Sequence, residues 1–398
     1  MATLGLGSIA LGLGLSLLAA GSHAAAQERW VAAYAFAPSS NAGPVGPASA
    51  PNPNDVRGPL GPEIVEGVTL TQTVLVTAGG ERLRLRLSNA YGAAPVTLGA
   101  VTVRSGDHVR EVRFSGDPAP TLAAGASLVS DPVDLPVAAM KRLSVSLALP
   151  LPTRLPTHRW RQTLRGADGV ESPPLRLGVL LAGIEVESAT PPGVIVAFGD
   201  SITEGTGALP GGLGGWPERL AARMVEAQRP WAVINAGIGG NRLLNQGSGP
   251  SGLERLDADA LAPSGALCLI LLEGINDIGR PARPEYAHQA IDADALIAGY
   301  RQVIRRAQAA GLKVVLATLP PFDGANYFTP QGEAIRQAVN AWLRDQSEAD
   351  AVVDFDAALR DPMAPTRLQA AFHSGDWLHP SDAGYQAMAD AVPLDACD

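Results

Sequence analysis

The 398-residue sequence has two cysteines, Cys268 and Cys397, and neither lies in a Cys-x-x-Cys pair. His-Glu-x-x-His is missing as well, so a structural or catalytic zinc site is unsupported. Cys268 falls inside the apolar run Ala266–Leu272, where a buried thiol behaves as a small hydrophobe. A disulfide would require that strand to meet the tail, and none is expected. No Gly-x-x-x-x-Gly-Lys-[Ser/Thr] and no Gly-x-Gly-x-x-Gly follows any strand-like run. That argues against phosphate and dinucleotide groups, and no cofactor is expected. Lys/Arg-rich runs are missing too. The formal net charge is −9, and an acidic surface repels phosphate backbones, so nucleic acid is not an expected partner. After the first residues nothing resembles a transmembrane segment, which takes ~20 apolar residues.

What is present begins with Ile9–Ala20, an apolar stretch of Leu, Ala and Gly. Ala24, Ala25 and Ala26 then supply small residues of the kind a signal peptidase needs. Residues 1–26 are read as a signal peptide, which implies a secreted or periplasmic protein. One element of such a signal is missing, since no Lys or Arg precedes the run. A buried N-terminal helix is the plainer alternative. The 44 Gly and 33 Pro indicate turns and long loops rather than a helical bundle. The length suits two domains of ~100–200 residues each. The sequence does not fix the oligomeric state.

Residues 27–190 read as an all-β, sandwich-like unit. A Pro/Gly/Asn-rich stretch from Pro38 to Pro62 is expected as a long loop. The period then becomes two: Thr69–Val76 and Glu81–Ser88 are separated by Ala78-Gly79-Gly80. In the second run Leu83, Leu85 and Leu87 share one face and Arg82, Arg84 and Arg86 the other, the mark of a half-buried strand. Similar runs follow at Val96–Arg104, His108–Phe114 and Leu143–Leu149. The Arg stripe is expected to be a solvated sheet face rather than a site for an acidic ligand.

Thr190-Pro191-Pro192-Gly193 marks the boundary to residues 191–398. Here apolar runs alternate with helical periodicity. Gly193–Phe198, Trp231–Ile234, Ala266–Leu272, Lys313–Thr318 and Ala351–Phe355 read as strands. Helices are expected from Pro217 to about Ala227, and over Asp292–Ala310, Ile335–Leu343 and Gly384–Ala391. Unbroken apolar strands between helices imply a three-layer αβα domain on a mostly parallel sheet.

In such sheets ligands bind beyond the carboxyl ends of the strands. The first strand is followed by Gly199-Asp200-Ser201-Ile202, the second by Asn235 through Gly240, the third by Gly274-Ile275-Asn276-Asp277. Before the last helix lies Asp376-Trp377-Leu378-His379. These residue types suit acyl transfer. A serine hydroxyl is a weak nucleophile that needs a base within hydrogen-bond reach, and histidine serves near neutral pH. A carboxylate on its other nitrogen fixes the tautomer. The N–H groups of Ser201 and Gly240 and the Asn276 amide are candidate donors to an oxyanion. Asp200 and Asp277 are expected to support the two turns by hydrogen bonds. His373 competes with His379 but has no acid three residues before it. Each motif alone has a bland reading: a turn for Gly-Asp-Ser or the glycines, a helix cap for Asn276-Asp277, a surface pair for Asp-x-x-His. Their order at strand ends favours chemistry.

These four blocks resemble those of the SGNH/GDSL hydrolases, across about 205 residues. The resemblance implies a flavodoxin-like αβα fold, Ser201, Asp376 and His379 as triad, and an oxyanion hole at Ser201, Gly240 and Asn276. The Gly-x-Ser-x-Gly elbow of other α/β-hydrolases is absent at Ser201. The leading β-unit is similar to the extension of a subgroup that includes xylan-associated esterases. The implied function is a secreted serine esterase, with an acetylated polysaccharide such as xylan as substrate. The alternatives are a broad short-chain acyl or aryl esterase, an acyltransferase, or a carbohydrate-binding protein with an inert hydrolase domain. Loops Leu209–Gly215, Leu243–Gly252 and Pro281–Gln289 are expected to wall the pocket.

Overall fold

The computed structural model describes residues 30–39, 60–155 and 159–398. The expected signal peptide and most of the Pro-rich stretch lie outside the described residues. The first unit is built from antiparallel strands: β1 (Trp30–Ala35), β2 (Val68–Val76), β3 (Gly80–Ser88), β4 (Val101–Ser105), β5 (His108–Val112), β6 (Ser127–Val129), β7 (Val133–Val137), β8 (Lys141–Leu149), β9 (Arg159–Arg165), β10 (Leu175–Gly178) and β11 (Leu181–Glu187). One sheet runs β1-β11-β3-β7, with β6 also on β3; the other runs β10-β9-β2-β8-β4-β5. Alternation decides which faces meet. Leu83, Leu85 and Leu87 on β3, and Leu143, Val145, Leu147 and Leu149 on β8, are all buried in one core. Each such side chain contributes about 1.5–3 kcal/mol relative to exposure. The run expected as one strand from Val96 to Arg104 is broken, with a two-residue bridge at Val96–Thr97 and β4 starting at Val101.

The Arg stripe of β3 is a partly solvated face whose arginines are ion-paired, with side-chain exposures of 34%, 27% and 44%. Arg82 pairs with Glu187 and Arg84 with Glu185, each directly across on β11, while Arg86, opposite Gly183, also reaches Glu185. Burial pushes the Glu185 carboxyl up, but the hydrogen bonds from Arg84 and Ser264 and the two guanidinium charges outweigh it and hold it below its usual range. Ser264 belongs to the second unit, so the ladder lies at the junction of the two. Strand β1 lies there too: the Ala32 N–H donates to the Ser264 carbonyl at 2.9 Å.

The second unit carries a parallel sheet of β12 (Gly193–Gly199), β13 (Trp231–Gly237), β14 (Ala266–Leu272), β15 (Lys313–Ala317) and β16 (Ala351–Val353), in the order β13-β12-β14-β15-β16. The chain goes outward one way from β12 and then returns past it, so the topological switch lies between β12 and β14. Helices α1 (Ser201–Glu204), α2 (Trp216–Glu226), α3 (Gly252–Leu256), α4 (Ile275–Gly279), α5 (Ala293–Ala309), α6 (Pro330–Asp345), α7 (Phe355–Leu359) and α8 (Asp382–Ala391) complete it. Helices α2, α7 and α8 pack together, as do α3, α5 and α6, giving the three layers.

Two boundaries differ from expectation for local reasons. Thr329 caps α6 through the Gly332 N–H and Pro330 takes its first position, so the helix starts five residues before Ile335. Asp354 caps the next turn through the Ala357 N–H, so β16 stops at Val353 and Phe355 opens α7. The two cysteines also differ: Cys268 and Cys397 form a disulfide, with Cα atoms 5.8 Å apart. After α8 the tail folds back beneath the amino ends of the strands, where Asp398 meets Arg229 and accepts from the Trp231 indole N–H at 3.0 Å. That return, invisible in the local pattern, brings the tail to β14. Among the described residues no helix is long and apolar enough to cross a membrane.

Candidate active site

The carboxyl end of β12 turns sharply at Gly199 into α1. Asp200 caps that helix, its Oδ1 accepting from the Ile202 N–H at 2.9 Å. Ser201 is therefore the first residue of α1 and sits at the switch point, 7% exposed. Its Oγ lies 2.8 Å from His379 Nε2. His379 Nδ1 lies 2.6 Å from Asp376 Oδ2. The other oxygen, Asp376 Oδ1, accepts from the backbone N–H groups of Leu378 and His379 at 3.0 and 2.9 Å. One short turn before α8 thus supplies both groups, as the three-residue spacing allows. Trp377, at φ +57°, gives the turn its tightness.

Burial pushes the Asp376 carboxyl up. The imidazole hydrogen bond, its charge and the two backbone donors overcome this and hold Asp376 at about 2. It is ionised throughout the neutral range and fixes the proton on Nδ1, leaving Nε2 to accept from the serine. His373 stands apart: its ring stacks on Trp377 at 3.9 Å, and its Nδ1 accepts from the Gly375 N–H.

The other strand ends contribute the remaining parts. Gly240, beyond β13, has φ +77°, and a Cβ there would lie 2.5 Å from Arg280 Nη2 and 2.8 Å from Ser248 Oγ. Conformation and space both require glycine. Gly274 and α4 follow β14 and present Asn276. Its Nδ2 donates to the Asn241 carbonyl at 3.0 Å and makes a longer contact, 3.4 Å, with Asp200 Oδ2. The Tyr327 hydroxyl meets its Oδ1 at 3.3 Å. Asp277 accepts from the N–H groups of Leu243 and Leu244 at 2.7 and 2.9 Å, tying α4 to the loop after Gly240. Of the three loops expected as walls, Leu243–Gly252 supplies Ser248. Pro281–Gln289 is largely one 3₁₀ stretch with Tyr286 buried. Leu209–Gly215 is tied to α8 through Asp382 and to the β-unit through Arg142, which donates to the carbonyls of Gly211 and Gly212.

One residue that sequence reasoning missed organises the floor. Arg255, on α3, is 3% exposed and stacks 3.8 Å from the Phe198 ring. Its guanidinium donates to the carbonyls of Gly199 and Ala236, the last turns of β12 and β13, and to Asn241 Oδ1. It also pairs with Asp259 and Glu273. In the sequence, Arg255 and Asp259 look like an ordinary surface pair one helical turn apart, so nothing marked the residue as buried. Around this one cation several carboxyls are crowded. Burial raises Asp277 to about 6. Burial likewise raises Asp200 and Glu273, which repel each other. Glu273 Oε1 has no hydrogen-bond partner.

The arrangement presents a hydroxyl with a base, an orienting carboxylate, and N–H donors on two neighbouring strand ends. Residues 197–387 match the model described as the GDSL-like Lipase/Acylhydrolase family. This unit is thus similar to ester-cleaving enzymes, and the match supports hydrolysis of carboxylic esters in general terms. Among solved structures, a GDSL-like lipase from Bacteroides thetaiotaomicron aligns at 19% identity over 51% of this chain and 87% of its own, with a TM-score of 0.39. An acetyl xylan esterase from Geobacillus stearothermophilus aligns at 24% identity over 50% of this chain and 92% of its own, with a TM-score of 0.40. None of the curated proteins matches.

Proposed function

We propose that the chain is an exported serine esterase that works through an acyl-enzyme and removes acetyl groups from a polysaccharide such as xylan. The observation that carries the chemistry is the hydrogen-bonded series Ser201 Oγ, His379 Nε2, His379 Nδ1, Asp376 Oδ2 at the end of a parallel strand. In this reading Ser201 Oγ attacks the ester carbonyl as His379 Nε2 takes its proton. The oxyanion is received by the N–H groups of Ser201 and Gly240 and by Asn276 Nδ2, whose long contact to Asp200 is the one it gives up. His379 then returns the proton to the leaving alcohol, and water repeats the sequence to release the acid.

Export is supported by the disulfide, since such bonds persist in oxidising compartments. The polymer substrate is supported by the β-unit fastened beside the site. The test is acetate release from acetylated xylan and from nitrophenyl acetate, by wild type and Ser201→Ala, with and without an acceptor sugar. Release from both substrates by wild type alone is the expected result. Cleavage of the aryl ester only would overturn the polysaccharide. Acyl transfer to the sugar in preference to water would make the enzyme a transferase, and equal rates in Ser201→Ala would remove the nucleophile.

A further inference from the structure

We infer that the ester substrate carries a carboxylate, held by Arg280 and Arg283 beside the proposed oxyanion donors; this rests on the esterase reading and names its substrate class further. The sign of the site is the first observation. The chain as a whole carries −9, and in the α/β unit most arginines are ion-paired. Among the described residues of that unit, Arg242, Arg280, Arg283 and Arg305 have no carboxylate within salt-bridge distance. Three of these four lie on the segments that follow Gly240 and Asn276 in the chain.

Arg280 lies four residues after Asn276, one helical turn on, so both side chains share a face. Its Nη2 donates to the Gly240 carbonyl at 2.7 Å and to Ser248 Oγ at 2.8 Å. Arg283 makes one long contact, 3.4 Å, to Asn326 Oδ1. Both are half-buried, so part of each guanidinium faces water. Asn326 neighbours Tyr327, whose hydroxyl touches Asn276, and that hydroxyl feels Arg280 and Arg283 as well as the carboxyls of Asp200 and Asp376. Beneath them Arg242 is closed off at 1% exposure, with Nε unpartnered. Arg242 and Arg280 each sit 5.5 Å from the Tyr286 ring, near enough to repel. Asp277, whose charge reaches Arg242, spends its oxygens on backbone N–H groups.

Two half-buried guanidiniums near a third, none with a carboxylate within salt-bridge distance, put unpaired positive charge beside the proposed oxyanion donors of an otherwise acidic protein. A planar guanidinium fork fits a carboxylate in particular. The carboxylate can end the acyl group, as in a dicarboxylic hemiester, or belong to a uronic acid bearing the ester.

The experiment compares kcat/KM within two matched pairs: nitrophenyl hydrogen succinate against nitrophenyl butyrate, and an acetylated methyl glucuronide against the acetylated methyl glucoside. Wild type is expected to prefer the anionic member of one pair by about tenfold or more at low salt, and that pair locates the carboxylate. Arg283→Gln and Arg280→Gln lose most of the preference, and Arg280→Lys keeps part of it. Preference for the neutral member in both pairs, or preference surviving in both Gln variants, overturns the proposal. A second arm titrates Ser201→Ala with methyl glucuronide, methyl glucoside, monomethyl succinate and methyl butyrate by calorimetry. Equal affinity for charged and neutral members overturns it there. If wild type cleaves no ester at all, the esterase reading fails, and the binding arm still decides the carboxylate.

Discussion

Two clusters of buried charge lie in the same α/β unit and behave in opposite ways. In the first, at the foot of α6 and α7, Arg336 binds both oxygens of Glu333 and one of Asp356, while Arg344 binds Asp354 and Asp356, and Arg360 adds a third cation. Cations match carboxylates. Burial raises Asp354, but Arg344, the Ala357 N–H and Thr318 hold it at about 2. In the second, under Ser201, Asp200, Asp259 and Glu273 crowd the single Arg255, and Asp277 lies close by. There burial wins, and Asp200, Glu273 and Asp277 are all raised above the ordinary carboxyl range. Burial alone therefore does not say whether a carboxyl is charged; the count of partners does. The matched cluster holds the fold. The unmatched one lies beneath Ser201 and ties the ends of β12 and β13 together.

The comparison is tested first at the proposed base. His379→Ala is expected to lower kcat by about 10⁴-fold or more while the thermal midpoint stays near that of wild type. A collapse of folding instead would make the turn structural and blur the contrast. Next, Arg336→Met leaves Glu333 buried without its cation and takes one of three cations from Asp356. Chemical denaturation is expected to show a loss of about 3–5 kcal/mol, with kcat unchanged at temperatures where the variant is folded. Third, Asn276→Ala removes one proposed oxyanion donor. It is expected to lower kcat by about 10²–10³-fold, with KM and stability little altered; an unchanged kcat would reassign the donor.

The pH dependence of stability separates the clusters most finely. Asp354 and Asp376 are held at about 2, below the ordinary value of about 3.9. Their contribution is complete above about pH 4 and is lost as pH falls toward 2. Asp277 is raised to about 6. The folded state then binds the extra proton, so stability falls as pH rises from about 4 to about 6. In Asp277→Asn, whatever its absolute stability, the slope of unfolding free energy over that window is expected to flatten. A slope unchanged from wild type would mean that folding does not raise Asp277.

Much of this was legible in the sequence, for identifiable reasons. A parallel strand buried on both faces writes itself as an unbroken apolar run, and the residues that follow it stand at the sheet's carboxyl edge. Ser201, Gly240 and Asn276 could be placed that way, and Asp376 and His379 by their spacing before α8. What sequence reading missed depends on tertiary return. Arg255 looks like a surface residue until the fold buries it under β12 and β13. The ion pairs of the Arg82–Arg84–Arg86 stripe stay hidden until β11 brings Glu185 and Glu187 beside it. The disulfide needs a tail that runs back the length of the sheet. Tyr327, far along the chain from Asn276, carries no local signal at all.

The bond between Cys268 and Cys397 closes a covalent ring that contains α4 to α8. Asn276, Asp376 and His379 lie inside that ring; Ser201 and Gly240 lie outside it. The site is thus assembled from two topological halves, one linear and one circular, joined along the seam where β12 pairs with β14. Unravelling of the C-terminal helix cannot carry the histidine half away, because its far end is anchored to the strand that neighbours the serine's own. A chain cut anywhere between Gly240 and Cys268 would yield a piece bearing Ser201 and a ring bearing His379, held in register by the sheet and by the packing of α2 on α8.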